Sequence, residues 1–242
     1  MRGMVGVALM TALEIKNLKF RYSSQAEHVL NIPQFSVSRG EKLFMYGPSG
    51  SGKTTLLSLV GGLFSPNSGS IAVLGKDIFA LSSTARDQFR AQNIGFVFQV
   101  FNLLPYLTVI DNVLLPCQFG RQKTASFASE QEEARYLLAQ LGLADYWNSS
   151  VSKLSIGQQQ RVAAARALIG SPGLIIADEP TSALDFDARV DFLKVLFSQA
   201  KIGQSSVLFV SHDRSLAGEF DRAVGLAEIN LGGKTSLKGL SS

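Results

Sequence analysis

The sequence predicts an α/β fold in which a sheet domain is interrupted by a helical lobe. Three observations predict it. An apolar run, Lys42 to Tyr46, leads through a glycine-rich octet, Gly47 to Thr54, into a helix-forming run from Thr55 to Val60. Two more apolar runs, Leu174 to Ala177 and Ser206 to Ser211, end in charged or polar pairs, Asp178-Glu179 and His212-Asp213. Between these parts, Ser129 to Leu141 and the stretch from Leu154 through Leu168 read as helices with no strand between them.

The 242 residues suit one such domain with an inserted lobe, or two small domains. Apolar residues make up 46% and charged ones 17%, enough to build a core and too apolar for disorder. The net charge of +4 contains no block of five or more Lys or Arg, so it reads as ordinary surface and no nucleic-acid partner is expected. The single cysteine, Cys117, cannot form an internal disulfide or a Cys–His metal site, and reads as a small buried apolar group. No apolar run approaches the ~20 residues that span a bilayer. Met1 to Met10 is apolar after Arg2 but too short for a secretory signal core, and Met4 or Met10 are alternative starts.

In chain order, Leu13 to Phe20 alternates as a half-buried strand, and Val29 to Val37 reads as a second strand before the turn at Ser38 to Glu41. The loop strand and helix follow. Ser65 to Gly69 is a dense turn signal, Ser70 to Leu74 a short strand, and Thr84 to Gln92 a helix. Ile94 to Phe98 is a buried strand with Gln99 at its carboxyl end. Val100 to Leu115 is an unusually apolar connector, and Gly120 to Ser129 a polar loop. Thr181 to Asp185 turns into a helix from about Asp187 to Ala200. Two weak strands around Gly232-Gly233 close the chain.

The octet fits the pattern G-x-x-x-x-G-K-[ST] in the strand–loop–helix setting that pattern requires. Small residues let backbone amides and the start of the next helix face a chain of phosphates. Lys53 would reach the β- and γ-phosphates, and the Thr54 hydroxyl would enter a Mg²⁺ shell. A nucleoside triphosphate is the expected ligand. Asp178 would hold Mg²⁺, and Glu179 would orient and deprotonate water. Two adjacent buried carboxylates are costly without a cation. Gln99 stands where ligands gather in parallel sheets, reaching the metal or the attacking water, or is a solvated strand end. His212 donates to a γ-phosphate or is structural. Tyr22 stacks on an adenine or packs at a strand edge. Ser155 is placed to cap the helix after it, and the exposed amides at Ile156 and Gly157 make a second anion-binding helix start, suited to a partner's nucleotide.

These pieces, in this order, resemble the nucleotide-binding subunits of ATP-binding-cassette (ABC) transporters over nearly the whole chain. The P-loop is Gly47 to Thr54, the Q-loop Gln99, the signature Leu154 to Gln158, the Walker B strand Leu174 to Glu179, the D-loop Ser182 to Asp185 and the switch histidine His212. The resemblance implies a P-loop NTPase (RecA-like) mixed sheet core with an N-terminal antiparallel β-subdomain and an inserted α-helical subdomain. It makes residues 1–242 one ABC ATPase domain, with 11–98 and 171–242 as nucleotide-binding core and 99–170 as the helical subdomain. It implies hydrolysis of ATP to ADP and phosphate with Mg²⁺, in which Glu179, His212, Gln99 and Lys53 are catalytic. Nucleotide contacts carry over to Tyr22, to Gly47, Pro48, Ser49, Gly50, Ser51, Gly52, Lys53, Thr54 and Thr55, and to Gln99, Ser155, Gly157, Gln158, Asp178 and Asp185. Metal contacts carry over to Thr54, Gln99 and Asp178.

The resemblance further implies a head-to-tail dimer with a second copy, closed on two ATP molecules. It also implies an integral membrane permease partner, and a place on the cytoplasmic side of the inner membrane through that partner. The family signature reads Leu-Ser-Gly-Gly-Gln, and here Ile156 replaces the first glycine. A β-branched residue fits there only at negative φ, and hydrolysis is expected to be retained. The stretch Gly95 to Gln99, with Asn102 to Pro105, Leu107 to Val109, Asn112-Val113 and Leu115-Pro116, is similar to the branch serving lipoprotein release, macrolide and peptide export, and the related cell-division complex. Amino-acid importers share much of it, and a nucleotide-binding scaffold with little turnover is the other alternative.

Overall fold

In the computed structural model, residues 11–232 are described, apart from 123, 183 and 185. Met1 to Met10, Asp185 of the D-loop and Gly233 therefore lie outside the described residues.

The chain begins with β1 (Thr11–Phe20), which pairs antiparallel with β2 (Leu30–Ser38) and with β4 (Ser68–Val73). The short β5 (Lys76–Asp77) completes a four-stranded sheet of order β2-β1-β4-β5. Asn17, at φ 50°, lies where the β1–β4 register shifts. That irregularity moves burial from Leu13 and Ile15 to Leu18 and Phe20, so both halves of β1 face the same core.

A second sheet is parallel throughout its described strands. Its order is β6 (Ile94–Val97), β7 (Leu174–Asp178), β8 (Ser206–Val210), β3 (Lys42–Tyr46) and β9 (Arg222–Gly225). Antiparallel and parallel pairings are thus sorted into separate sheets. Side chains alternate through the parallel one. Leu43, Met45, Leu174, Ile176, Leu208 and Val210 join a core with the antiparallel sheet and with α1 (Lys53–Val60). Phe44, Ile175, Ala177, Val207 and Phe209 face the helices on the other side. Both faces are covered, which is why these strands read as unbroken apolar runs.

Helix α2 (Ser83–Asn93) precedes β6, and α3 (Val109–Gln118), α4 (Glu130–Gln140) and α5 (Ile156–Leu168) form the helical region. The second half of the expected connector is therefore a helix. The Thr108 side chain accepts from the Asp111 amide at its start, and Val109, Ile110 and Val113 are buried in the helical core. Helix α6 (Phe186–Ile202) returns the chain to β8. Of the two strands expected around Gly232-Gly233, the first is corrected to a one-turn helix α7 (Leu226–Ile229), which follows β9 and buries Leu226, and the second lies outside the described residues. No helix among the described residues is long and apolar enough to cross a membrane.

Candidate nucleotide site

The turn after β3 is shaped by glycine. Gly50 and Gly52 sit at φ 74° and 101°, left-handed positions that a side chain would strain, and Gly52 opens α1. Lys53, only 8% exposed, bends over this loop and donates to the carbonyls of Gly47 (2.8 Å) and Pro48 (2.9 Å). That leaves one of its three N–H donors for an anion. The Ser51 hydroxyl is buried with no protein partner. Thr54, the residue after Lys53, donates to Asp178 Oδ2 across 2.9 Å, tying the start of α1 to the end of β7.

Asp178 is held above the ordinary carboxylate range, first by burial and then by the neighbouring Glu179, against the Thr54 hydrogen bond and the Lys53 charge. Glu179 itself stands at φ 48°. This strained conformation is fixed from the next strand: its amide donates to Val210 O (2.9 Å) and its Oε2 accepts from the Ser211 hydroxyl (3.2 Å). The same Oε2 lies 2.9 Å from Nδ1 of His212. The carboxylate side chain is 12% exposed and the imidazole 69%, so the pair spans the lip of the site.

One cleft of about 680 Å³ opens at the carboxyl ends of β3, β7 and β8. It brings together Tyr22, Ser49, Gly50, Gly52, Lys53, Thr54 and Thr55 with Gln99, Asp178, Glu179 and His212. Gly47 and Pro48 line a smaller neighbouring hollow that shares His212. Tyr22 packs against its neighbours, as the second of its sequence readings expects, at the edge of the cleft. Its ring meets Phe20 and Phe64 edge-on, at 5.1 and 5.9 Å, and its hydroxyl bonds to Thr55 Oγ1 at 2.8 Å, while it still lines the cleft.

Ser155, Gly157 and Gln158 are not in this cleft. They form the start of α5 as a reciprocal capping box: Gln158 N donates to Ser155 Oγ (3.3 Å), and Ser155 N donates to Gln158 Oε1 (2.9 Å). Ile156 is the first helical residue, lies outside the left-handed region and is 60% exposed. The negative φ that its β-branch requires is present. Gly157 faces Leu184, whose methyl would lie 3.3 Å from any added Cβ.

Gln25 and Val29 also line the cleft, and Ser211 steadies Glu179; the sequence reading missed all three. Ser211 carried a signal, because it ends the same apolar run that delivers His212. Gln25 lies in a turn without a motif.

The donor set suits a triphosphate with Mg²⁺. The loop offers amides, a buried hydroxyl and an ammonium, while Thr54 and Asp178 offer two oxygens 2.9 Å apart. Among the described residues no three His, Cys, Asp or Glu side chains converge as a metal cage. A sparse oxygen set completed by phosphates is what Mg²⁺ takes, in contrast to zinc or calcium.

The family model for ABC transporters matches residues 30–182. The chain is 38% identical over 218 residues to the lipoprotein-releasing system ATP-binding protein LolD of Syntrophotalea carbinolica, covering 89% of this chain and 95% of that protein. It is 40% identical over 207 residues to the ATP-binding protein HrtA of Staphylococcus epidermidis, ascribed to hemin import, covering 86% and 91%. Among solved structures it is similar to the dimeric bacterial ABC transporter cassette MJ0796, with a TM-score of 0.77 at 33% identity over 88% of this chain and 93% of that one. The same figures hold for the dimer of that cassette in a post-hydrolysis state bound to ADP and Pi.

Proposed function

From the premise that this chain belongs to the ABC transporter family, as an ATP-binding subunit that hydrolyses ATP, we propose how its residues divide that work. The observation that carries the proposal is the convergence of Lys53, Thr54, Asp178, Glu179 and His212 on one cleft. Lys53 and the loop amides bind the β- and γ-phosphates, and Tyr22 receives the adenine. Glu179 takes a proton from the water whose oxygen bonds to the γ-phosphorus as the bond to the β,γ-bridging oxygen breaks and ADP leaves, and His212 holds Glu179 and the γ-phosphate in line. Thr54, Asp178 and Gln99 would hold Mg²⁺. When bound, that ion neutralises charge on the β- and γ-oxygens.

The chain divides into a nucleotide-binding core, 11–98 and 171–242, and a helical subdomain, 99–170. Two copies close head to tail, so that Ser155, Gly157 and Gln158 of one meet the nucleotide held by the other. The dimeric relative and the separation of the α5 start from the chain's own cleft support this arrangement. A membrane permease receives the motion, and the subunit works at the cytoplasmic face of the inner membrane. The lipoprotein-releasing relative favours an export or release branch.

The test is Glu179→Gln. Turnover should fall by about 10²–10⁴-fold, the range for a lost general base, while ATP still binds and a stable dimer accumulates by light scattering. Wild-type turnover in the variant would remove Glu179 from its role.

A further inference from the structure

Between the cleft and the helical region runs the loop that follows Gln99, and its backbone is unusual. Phe101 and Asn102 stand consecutively at φ 32° and 49°. Neither is glycine, and a bulky aromatic in this region is a genuine outlier that its surroundings must enforce. Both carbonyls point to one side chain. Arg166, in the last turn of α5, donates through Nη2 to Phe101 O (2.5 Å) and through Nη1 to Asn102 O (2.7 Å). Arg166 is 9% exposed, and no carboxylate among the described residues forms an ion pair with it. Burial lowers its guanidinium to about 10, which still leaves it a cation at neutral pH. A buried cation satisfied by carbonyls alone is expensive, so its partners are held in place for as long as it stays there.

The far end of the loop is fixed separately. Leu104 N donates to Asn112 Oδ1 (2.8 Å), and Asn112 Nδ2 donates back to Leu104 O (3.1 Å). What remains between β6 and these two anchors is Phe98, Gln99 and Val100; Gln99 lines the cleft, and Val100 is 78% exposed. Arg166 and the Ser155 cap belong to opposite ends of one unbroken helix of 13 residues. Such a helix is about 20 Å long and moves as a rod.

We propose that Arg166 is a positioning residue that makes the place of Gln99 in the cleft follow the place of α5. A shift at the Ser155 end is carried along the rod to the guanidinium, and from it to the two carbonyls just beyond Gln99. The inference rests on the reading of Gln99 as a site residue.

The test is a double-mutant cycle on the full chain with Gln99→Ala, Arg166→Met and both together, scored by kcat, ATP affinity and Tm. If Arg166 acts through Gln99, Arg166→Met lowers kcat about tenfold with ATP affinity little changed, and the double variant is no slower than the slower single one. Reductions in kcat that multiply would overturn the inference and leave Arg166 a packing residue. A Gln99→Ala variant with wild-type kcat would overturn the reading of Gln99, and this inference with it. Arg166→Lys guards against misfolding: it keeps the charge but not the fork, so it should also lower kcat, at near-wild-type Tm. Full kcat in that variant would count against the proposal.

Discussion

Two loops border the cleft, and both carry the backbone through the left-handed region by opposite means. In the phosphate loop, glycines at 50 and 52 take the positive φ angles, and the ammonium that closes over it is on the next residue, Lys53. In the loop after Gln99, Phe101 and Asn102 take them, and the group that holds their carbonyls is 64 and 65 positions away in sequence. The first loop is made from its own residues and keeps its shape locally. The second has its shape imposed from the helical region, which is what a loop needs if it is to report the position of that region.

The sharpest break of this contrast comes from Lys53→Ala. If the first loop is self-contained, removing its ammonium should cost the one charge-assisted contact it has left for phosphate, about 1.5–3 kcal/mol, hence roughly 10- to 100-fold in ATP affinity. Thermal stability should hardly change, because the hydrogen bonds of the Lys53 ammonium among the described residues go to carbonyls of its own turn. Titration calorimetry reads the affinity. A loss below about threefold would mean that the cradle does not depend on that side chain.

Arg121→Met probes the imposed side of the contrast. Arg121 is 2% exposed and donates to Ala91 O in the last turn of α2 (2.7 Å), to Ala167 O in the last turn of α5 (3.4 Å) and to Ile94 O at the start of β6. Helix-end carbonyls lack intrahelical partners, and burying them unpaired is costly. The variant should lose about 3 kcal/mol in urea unfolding, with ATP affinity preserved at temperatures where it is folded. A loss under about 1 kcal/mol would mean that water replaces the guanidinium, and that the join between lobe and core is looser than its hydrogen bonds indicate.

The same contrast explains what could be read in the sequence. Gly47 to Thr54, Leu174 to Glu179 and Ser206 to His212 are contiguous, and each carries its element and its chemistry together, so the cleft could be assembled from text. Among the described residues, the hydrogen bonds of Arg121 and Arg166 go to main-chain carbonyls. Every residue has a carbonyl, so no partner side chain marks the pairing and no spacing betrays it. Gly95 is similar: an added Cβ would stand 2.1 Å from Ala167 O, a close approach of strand to helix that no local pattern encodes. The misread segments follow suit. Val109 to Leu115 reads as part of a connector, although its apolar face is matched by α4 and α5, and the closing helix α7 is too short to show a period.

The start of α5 falls on the local side of the contrast, and this sets the smallest expected effect. Ser155 and Gln158 cap each other's backbone, and Ile156 between them points largely to solvent. Its amide, not its side chain, would belong to the anion-binding helix start proposed for the partner's nucleotide. Replacing Ile156 with Gly, the residue usual in the family, therefore removes little packing and adds backbone freedom, which costs about 0.5–1 kcal/mol of stability. ATP turnover should stay within about threefold of the parent, because the cap and the two amides survive the change. Stopped-flow phosphate release and a denaturant melt on the same preparation check both halves. A tenfold gain in turnover would show that the isoleucine side chain obstructs closure onto a partner's nucleotide, and the signature of this chain would then be tuned by its side chain as well as its backbone.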